Sequence, residues 1–174
     1  MLRYVVLLLV GITLLVNACS PVYNWREVSL SEAGLKLLLP CKPDQGHRTM
    51  SLAGQALEMQ MAGCEADSAL FAIAHVDLGD SSTTEAAMKQ WQTAMLRNMQ
   101  AQDSVQLSGF ITQGASAQPQ PVRLAAKGRR QDGSAVAAQG VWFARGAHLY
   151  HAVVYADRLN QEAVDTFFSG IEFQ

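Results

Sequence analysis

Downstream of an apolar N-terminal segment, the chain alternates apolar and polar residues in short runs that are typical of β-strands. Leu35, Leu37 and Leu39 share one face of a predicted strand, and this strand ends at Pro40, which cannot donate to a sheet. The Asp-Gly pair at 132–133 predicts a tight hairpin turn, because both residues tolerate positive φ. The other predicted strands lie within residues 47–52, 56–64, 69–78, 105–111, 122–131, 134–144 and 148–156.

Two segments have the periodicity of amphipathic helices. The first is predicted to begin at Ser82, because Ser-Thr-Thr-Glu at 82–85 matches a capping box, and to continue to about residue 100. We expect its apolar stripe to pack on the sheet, with a hydrophobic groove for a partner as the alternative. The stripe consists of Met88, Trp91, Met95 and Met99. The second helix is predicted to follow a cap at Asn160. Its apolar face consists of Val164, Phe167, Phe168 and Ile171.

The order of sheet, helix, sheet and helix predicts an α+β fold, an antiparallel β-sheet covered by two helices. We expect one globular domain over residues 34–174. An early strand ending in Leu-Pro, a mid-chain helix, a three-strand meander and a C-terminal helix followed by Gly-Ile-Glu-Phe together resemble the PsbP-like α/β/α sandwich over about residues 25–174. This resemblance implies an accessory or binding role, and it carries over no binding residue because no specific motif matches.

The N-terminal segment resembles a bacterial lipoprotein signal. Arg3 precedes an apolar run over residues 5–16, and Val-Asn-Ala-Cys at 16–19 resembles the lipobox that a lipoprotein signal peptidase cleaves. A transmembrane helix is the alternative, but it would need roughly 20 apolar residues. The resemblance implies that residues 1–18 are removed, that Cys19 is lipidated, and that residues 19–33 form the lipidated cysteine and a short tether.

Size and charge agree with a single domain held at a membrane by this lipid. Cleavage leaves 156 residues (174 minus 18), which suits one domain of about 100 to 200 residues. Loss of Arg3 changes the formal charge from -2 to -3, and no basic run follows, so we expect no nucleic-acid partner. Ser20 after Cys19 resembles the signal for transfer to the outer membrane. We therefore expect a bacterial cell-envelope protein that faces the periplasm and contacts an envelope protein or a glycan.

Three cysteines are present, and the lipid would use Cys19. Cys41 and Cys64 then remain as an even pair. An exported protein lies in an oxidising compartment, where a disulfide persists. We therefore predict a disulfide between Cys41 and Cys64, with two buried free thiols as the alternative.

The sequence contains one block that resembles a catalytic motif. Gly-Asp-Ser at 79–81 is similar to the nucleophile block of GDS-type esterases and lipases, which also need a C-terminal Asp-x-x-His to activate the serine. Residues 157–160 read Asp-Arg-Leu-Asn, and no histidine follows His151. We therefore predict a non-catalytic protein with no catalytic residue and no cofactor, and a small envelope serine hydrolase using Ser81 is the alternative.

The histidines do not predict a metal site. His148 and His151 are three residues apart on a predicted strand, so they should point to opposite faces of the sheet. His47 or His75 could join one of them only through a distant part of the fold, and with both cysteines paired we predict no bound metal.

Two surface segments are candidates for contact with a partner. Lys127 and the arginines at 129–130 lie beside the predicted hairpin turn, where charges discourage unwanted strand pairing. A contact with an anionic lipid or glycan is the alternative for these cations. Residues 114–121 are rich in Ser, Gln and Pro and are predicted to form a loop, which could present a binding surface.

Overall fold

The structure is a computed structural model that describes residues 22–101, 103–107 and 110–174. The predicted signal and the predicted lipidation site at Cys19 lie outside the described residues. Ten strands and two α-helices occur in these ranges. The strands are β1 Arg26–Leu30, β2 Leu35–Leu39, β3 Asp44–Leu52, β4 Gln55–Ala66, β5 Ala69–Asp77, β6 Asp103–Leu107, β7 Val122–Arg129, β8 Ala135–Arg145, β9 His148–Ala156 and β10 Glu172–Phe173. The helices are α1 Thr84–Asn98 and α2 Gln161–Ser169.

The strands form two separate sheets. Seven strands make one sheet in the order β3-β4-β5-β9-β8-β7-β6, and every neighbouring pair in it is antiparallel. Strands β1, β2 and β10 make a second, three-stranded sheet with β2 in the middle. Strands β5, β9 and β8 occupy the centre of the large sheet, which explains why their sequences are apolar on both faces.

Each face of the large sheet has its own core. Helix α1 packs on one face, because its apolar stripe repeats at helical spacing and is buried there. The other face is covered by α2 and by the small sheet. The largest fully buried side chains of this second core are Leu35, Leu37, Leu39, Phe71, Ile73, Phe143, Tyr150 and Phe167.

The predicted fold class, one antiparallel sheet covered by two helices in a PsbP-like α/β/α sandwich, is wrong. The described chain contains far more strand than helix, and a second sheet stands where the prediction had only a helix. Leu35, Leu37 and Leu39 do alternate on a strand and are fully buried. That strand pairs with β1 and β10 instead of joining the large sheet, so the sandwich prediction assigned it to the wrong layer.

The described fold extends into the segment that was predicted to be a tether, residues 19–33. Strand β1 lies within the predicted tether of residues 19–33 and pairs with β2 along its whole length. The folded contacts begin before β1, since the Tyr23 hydroxyl donates to the Asp67 carboxylate at 2.8 Å. The ring of Tyr23 also packs on Phe71 in the core. The described contacts therefore include Tyr23, which is four residues after Cys19 in the sequence.

Of the two predicted helix starts, the first is wrong and the second is confirmed. Helix α1 is preceded by a 3₁₀ turn over Ser81–Thr83, and the Asp80 carboxylate accepts from the Ser82 backbone N–H at 2.8 Å. The predicted capping box at Ser82 is therefore wrong, because the Asp two residues upstream provides the cap. The second prediction is confirmed, because the Asn160 side chain accepts from the Ala163 N–H at 3.3 Å and caps α2.

Candidate functional site

A groove lined by methionine and aromatic side chains lies between α1 and the large sheet. We call it the methionine groove, and it encloses about 610 Å³. Its defining residues are Met50, Met59, Met61, Trp91, Met95 and His151. A second cavity of about 590 Å³ shares Met95, Asn98 and Tyr155 with it and continues past the β7–β8 turn. The apolar stripe of α1 thus packs on the sheet as predicted, and two of its members, Trp91 and Met95, also line the groove, the alternative that the sequence left open.

The sheet register explains why the groove is open at this place. Met61 of β4 lies opposite Ala74 of β5, and Ala74 lies opposite His151 of β9. A methyl group therefore separates two long side chains that project from the same face. Ala72, the neighbouring residue of β5 on that face, is equally small and also lines the groove. Two alanines on a central strand leave space that larger residues would fill.

His151 is the unusual polar residue of the methionine groove. It is 6% exposed, and its buried Nε2 has no hydrogen-bond partner among the described residues. Its ring stacks on Trp142 with centroids 4.2 Å apart, and it makes a T-shaped contact with the ring of Trp91, with centroids 5.4 Å apart. Burial lowers the pKa of His151 to about 3, so the imidazole is uncharged at neutral pH. A neutral ring nitrogen without a hydrogen-bond partner can accept a hydrogen bond or bind a metal ion.

A second polar cluster lies on the opposite face of the large sheet. Nε2 of His75 lies 3.0 Å from Nδ1 of His148, and Nδ1 of His75 lies 3.4 Å from Oε1 of Gln60. The amide nitrogen of Gln60 donates to the Glu32 carboxylate. These roles require His75 to donate from Nδ1 and to accept at Nε2, so His148 donates from Nδ1. We call these four residues the histidine chain.

The histidine chain connects the small sheet to the large one. Glu32 lies in the 3₁₀ turn between β1 and β2, whereas the other three residues belong to β4, β5 and β9. Burial, followed by repulsion from His148, lowers the pKa of His75 to about 4, and attraction to Asp77 opposes this effect. A cavity of about 150 Å³ lies beside the histidine chain and is lined in part by Glu32, Gln60 and His75. The hydrogen bond from Gln60 to the Glu32 carboxylate joins the two layers.

The prediction that His148 and His151 point to opposite faces of the sheet is confirmed. His148 lies against His75, and His151 lies against Trp142. His75 reaches His148 through the pairing of β5 with β9, in which Asp77 lies opposite His148. Within the described ranges no group of three His, Cys, Asp or Glu side chains has the geometry to hold a metal.

Cys41 and Cys64 form a disulfide, as the cysteine count predicts, with Cα atoms 5.9 Å apart. Cys41 lies just after β2 of the small sheet, and Cys64 lies on β4 of the large sheet. The disulfide therefore joins the two sheets covalently.

Ser81 lies in an exposed turn at the end of β5, and none of the hydrogen bonds within the described chain joins its hydroxyl to a histidine. Asp157 follows the end of β9, which runs antiparallel to β5. The serine and the Asp-x-x-Asn segment are therefore at opposite ends of the sheet, so the two parts of the esterase-like motif do not meet. The separation is roughly 30 Å, since nine strand residues rise about 3.3 Å each.

The two surface candidates make contacts within the protein. Arg130 donates to the Asp157 carboxylate at 2.6 Å, and Arg129 donates to the Gly133 carbonyl at 2.9 Å. The loop of residues 114–121 is fixed at Ser116, whose backbone N–H donates to the Ala144 carbonyl at 2.7 Å. The Ser116 hydroxyl also accepts from the Gly146 N–H at 3.0 Å. Several polar groups of these candidates are therefore used to hold turns and loops in place.

Comparisons with known proteins define no family for this chain. No protein-family model matches it, and no curated protein matches it. Among solved structures it is similar to PA94, a protein of unknown function from Pseudomonas aeruginosa, with 16% sequence identity and a TM-score of 0.34. That similarity covers 76% of this chain and 82% of PA94. Within the described part of the chain, no helix is long and apolar enough to span a membrane.

Proposed function

We propose that this chain is a non-catalytic binding or accessory protein of a bacterial cell envelope, anchored by a lipid on Cys19, with the methionine groove as its binding surface. The observation that carries the binding role is the groove itself. It is lined mainly by apolar residues together with a few polar ones, among them Arg48, Asn98 and His151. Binding sites for small ligands commonly combine apolar walls with a few polar groups in this way.

The disulfide supports a location outside the cytoplasm. Cys41 and Cys64 are bonded to each other, and such bonds persist in oxidising compartments such as the periplasm. Cys19 is then the remaining cysteine of the sequence, and it stands where the apolar segment ends. An even pair plus one cysteine at a lipobox is the pattern expected for an exported lipoprotein.

The start of the folded region supports a position close to the membrane. Tyr23 is held by Asp67 and by the core ring of Phe71. Three residues separate it from Cys19, which allows roughly 14 Å over four steps of a fully extended chain. A lipid on Cys19 would therefore place the end of the domain that carries the β4–β5 turn near the headgroups. The outer membrane, with the domain facing the periplasm, is the membrane we propose.

The anchor is tested by expressing the full-length chain and a Cys19→Ala variant with labelled palmitate. We expect the wild type to incorporate the label and to fractionate with membranes. The variant should neither be cleaved nor incorporate the label. A wild-type protein that carries no label and retains its N-terminal segment would contradict the proposed anchor.

The alternative, a serine hydrolase using Ser81, is tested by a Ser81→Ala variant with a panel of short-chain ester substrates. The non-catalytic proposal expects no serine-dependent turnover in either protein. Turnover by the wild type that disappears in Ser81→Ala would contradict it.

A further inference from the structure

The methionine groove follows a part of the large sheet that α1 leaves partly uncovered. Its floor contains Ala72 and Ala74 of β5, which are both half-buried. One wall is the side of α1 that carries Trp91, Ala94 and Met95. The opposite wall consists of methionines from β3 and β4. Methionine is unbranched and has three rotatable bonds, so this wall can adapt to a flexible apolar ligand.

The strand register gives the length of this surface. Met59 of β4 lies opposite Val76 at one end, and Glu65 of β4 lies opposite Leu70 at the end of the second cavity. Six residues of β4 separate these ends, which is roughly 20 Å at about 3.3 Å per residue. The hydrocarbon core of a bilayer is about 30 Å thick and two chains deep, so one acyl chain extends over roughly 15 Å. The groove and the second cavity together are therefore long enough for one acyl chain.

Arg48 is the charged residue of the groove lining, and it lies at the Met59 end. It belongs to the edge strand β3 and stands opposite Met59, so both side chains project from the same face. No carboxylate lines the groove, and none of the ion pairs within the described residues includes Arg48. A guanidinium can bind a carboxylate through two parallel N–H···O hydrogen bonds. This end of the groove therefore favours a ligand with a negatively charged group.

The other end of the surface is matched to an apolar group. Leu70 is 37% exposed and is one of three large apolar side chains that are exposed among the described residues. It lies opposite Tyr155 of β9, and both residues line the second cavity. The arginines at 129–130 also line this cavity, but both already donate to acceptors within the protein. Glu65 lines it as well and disfavours an anion there. The charges thus give the groove a direction, with the anion at Arg48.

We propose that the methionine groove binds one long-chain fatty acid, with the carboxylate on Arg48 and the alkyl chain lying over Ala74 and Ala72 towards Leu70. This inference rests on the proposed binding role of the groove and names its ligand class. Burial of the alkyl chain supplies most of the affinity, since each methylene that is fully removed from water strengthens binding about fourfold. The contact with Arg48 sets the orientation of the chain.

The experiment uses the full-length protein, expressed and processed in cells and then placed in nanodiscs of phosphatidylcholine. The probe is palmitic acid with a photoactivatable diazirine near its methyl end, and the methyl ester of the same probe is the neutral counterpart. After illumination, intact mass counts the labels and peptide mapping locates them. We expect the acid to label saturably, with one label per chain, in peptides from β5 and the C-terminal half of α1. The ester should need about threefold more probe for half-maximal labelling, because it lacks the charge.

Arg48→Gln tests the contact with the carboxylate. It should raise the concentration of acid that gives half-maximal labelling by about threefold and leave labelling by the ester unchanged. Arg97→Gln is the matched control, because Arg97 is an exposed arginine of α1 that lines neither cavity. Its labelling by both probes should equal that of the wild type.

Ala94→Leu tests the path of the alkyl chain. Ala94 lines the groove, so a leucine there would take space from the chain. Labelling by the acid should weaken about tenfold, which is the loss expected when roughly two methylenes are displaced. Ala86→Leu is the matched control on the same helix, because Ala86 is exposed and lines neither cavity. Circular dichroism checks that both variants are folded.

Three outcomes would overturn the fatty-acid proposal: no saturable labelling by the acid, equal half-saturation for acid and ester in the wild type, or equal labelling of Ala94→Leu and Ala86→Leu. Labels confined to peptides that contain Val22 or Ile111, the other exposed apolar residues, would also overturn it. Saturable labelling of the groove by the ester alone would overturn the ligand class and leave the binding role. An acyl group on Cys19 is visible by intact mass before illumination, so failure of the anchor is read separately.

Discussion

Buried His151 links the stability of this fold to pH. Its pKa is about 3 in the folded chain because of burial, whereas an unfolded histidine titrates near 6.5. Below pH 6.5 the unfolded chain therefore binds a proton that the folded chain does not bind. The free energy of unfolding falls by about 1.4 kcal/mol per pH unit through this residue, down to about pH 3. His75 acts in the same direction down to about pH 4.

We predict that His151→Phe reduces this pH dependence. Phenylalanine keeps the stacking on Trp142 but cannot be protonated, so the variant should lose about 2 kcal/mol less than the wild type between pH 6.5 and pH 5. Urea unfolding at each pH measures the difference. Tyr150→Phe is the control, because loss of its 2.8 Å hydrogen bond to the Ala33 carbonyl should lower stability without changing the slope. Equal slopes in wild type and His151→Phe would contradict the assignment.

Gly140 is the small residue that allows His151 and Trp142 to stack. A Cβ at this position would lie 3.0 Å from Nε2 of His151 and 3.0 Å from the Trp142 ring. We predict that Gly140→Ala destabilises the protein by about 1 to 3 kcal/mol, because both rings would have to move. Gly46→Ala is the matched control in another strand, where a Cβ has no neighbour within 4 Å. A Gly140→Ala protein as stable as Gly46→Ala would show that the rings shift freely.

Among the elements, α2 depends on a single capping side chain. Asn160 accepts from the Ala163 N–H, and α2 carries Phe167 and Phe168 into the core shared with the small sheet. We predict that Asn160→Ala lowers the free energy of unfolding by about 1 kcal/mol, measured by chemical denaturation. Asn160→Ser retains a capping oxygen and should recover most of this loss. Equal losses in the two variants would indicate that packing, not capping, explains the effect.

Elements specified by local pattern were predictable from the sequence. The Asp-Gly pair predicted the position of the β7–β8 hairpin, the apolar stripe predicted α1, and Asn160 predicted the start of α2. Each of these depends on residues close together in the chain. The capping box at Ser82 failed because Asp80, two residues earlier, accepts from the Ser82 N–H, the donor that Glu85 would need in the box.

Pairing between distant strands was not predictable. Alternation shows that Leu35, Leu37 and Leu39 face a core, but it does not show which strand pairs with β2. Strand β10 has only two residues and closes the small sheet from the far end of the chain. The approach of His75 to His148 likewise depends on the pairing of β5 with β9, 73 residues apart. The sequence therefore indicated individual residues of these clusters, but it did not predict that they lie together.

For the whole molecule, the Cys41–Cys64 disulfide and the histidine chain both join the small sheet to the large sheet. The disulfide closes a loop with a sequence separation of 23 residues. In the chain-entropy treatment a loop of this length is worth about 3 kcal/mol. Replacing both cysteines by alanine should lower the unfolding free energy by about that amount, measured by urea denaturation.

Reduction provides the control for this prediction. A reductant should destabilise the wild type by a similar amount and leave the alanine variant unchanged. A wild type that is insensitive to reduction would show that the disulfide contributes little to holding the two sheets together.

The central claim is that this is a lipid-anchored envelope protein, and intact mass of the full-length chain purified from membranes tests it most directly. The account predicts loss of residues 1–18, a diacylglyceryl or triacyl addition on Cys19, and no free thiol until Cys41 and Cys64 are reduced. The same measurement on Cys19→Ala should find the unprocessed chain. Retention of the N-terminal segment with two freely titrating thiols would contradict the account and place the folded domain in a reducing compartment.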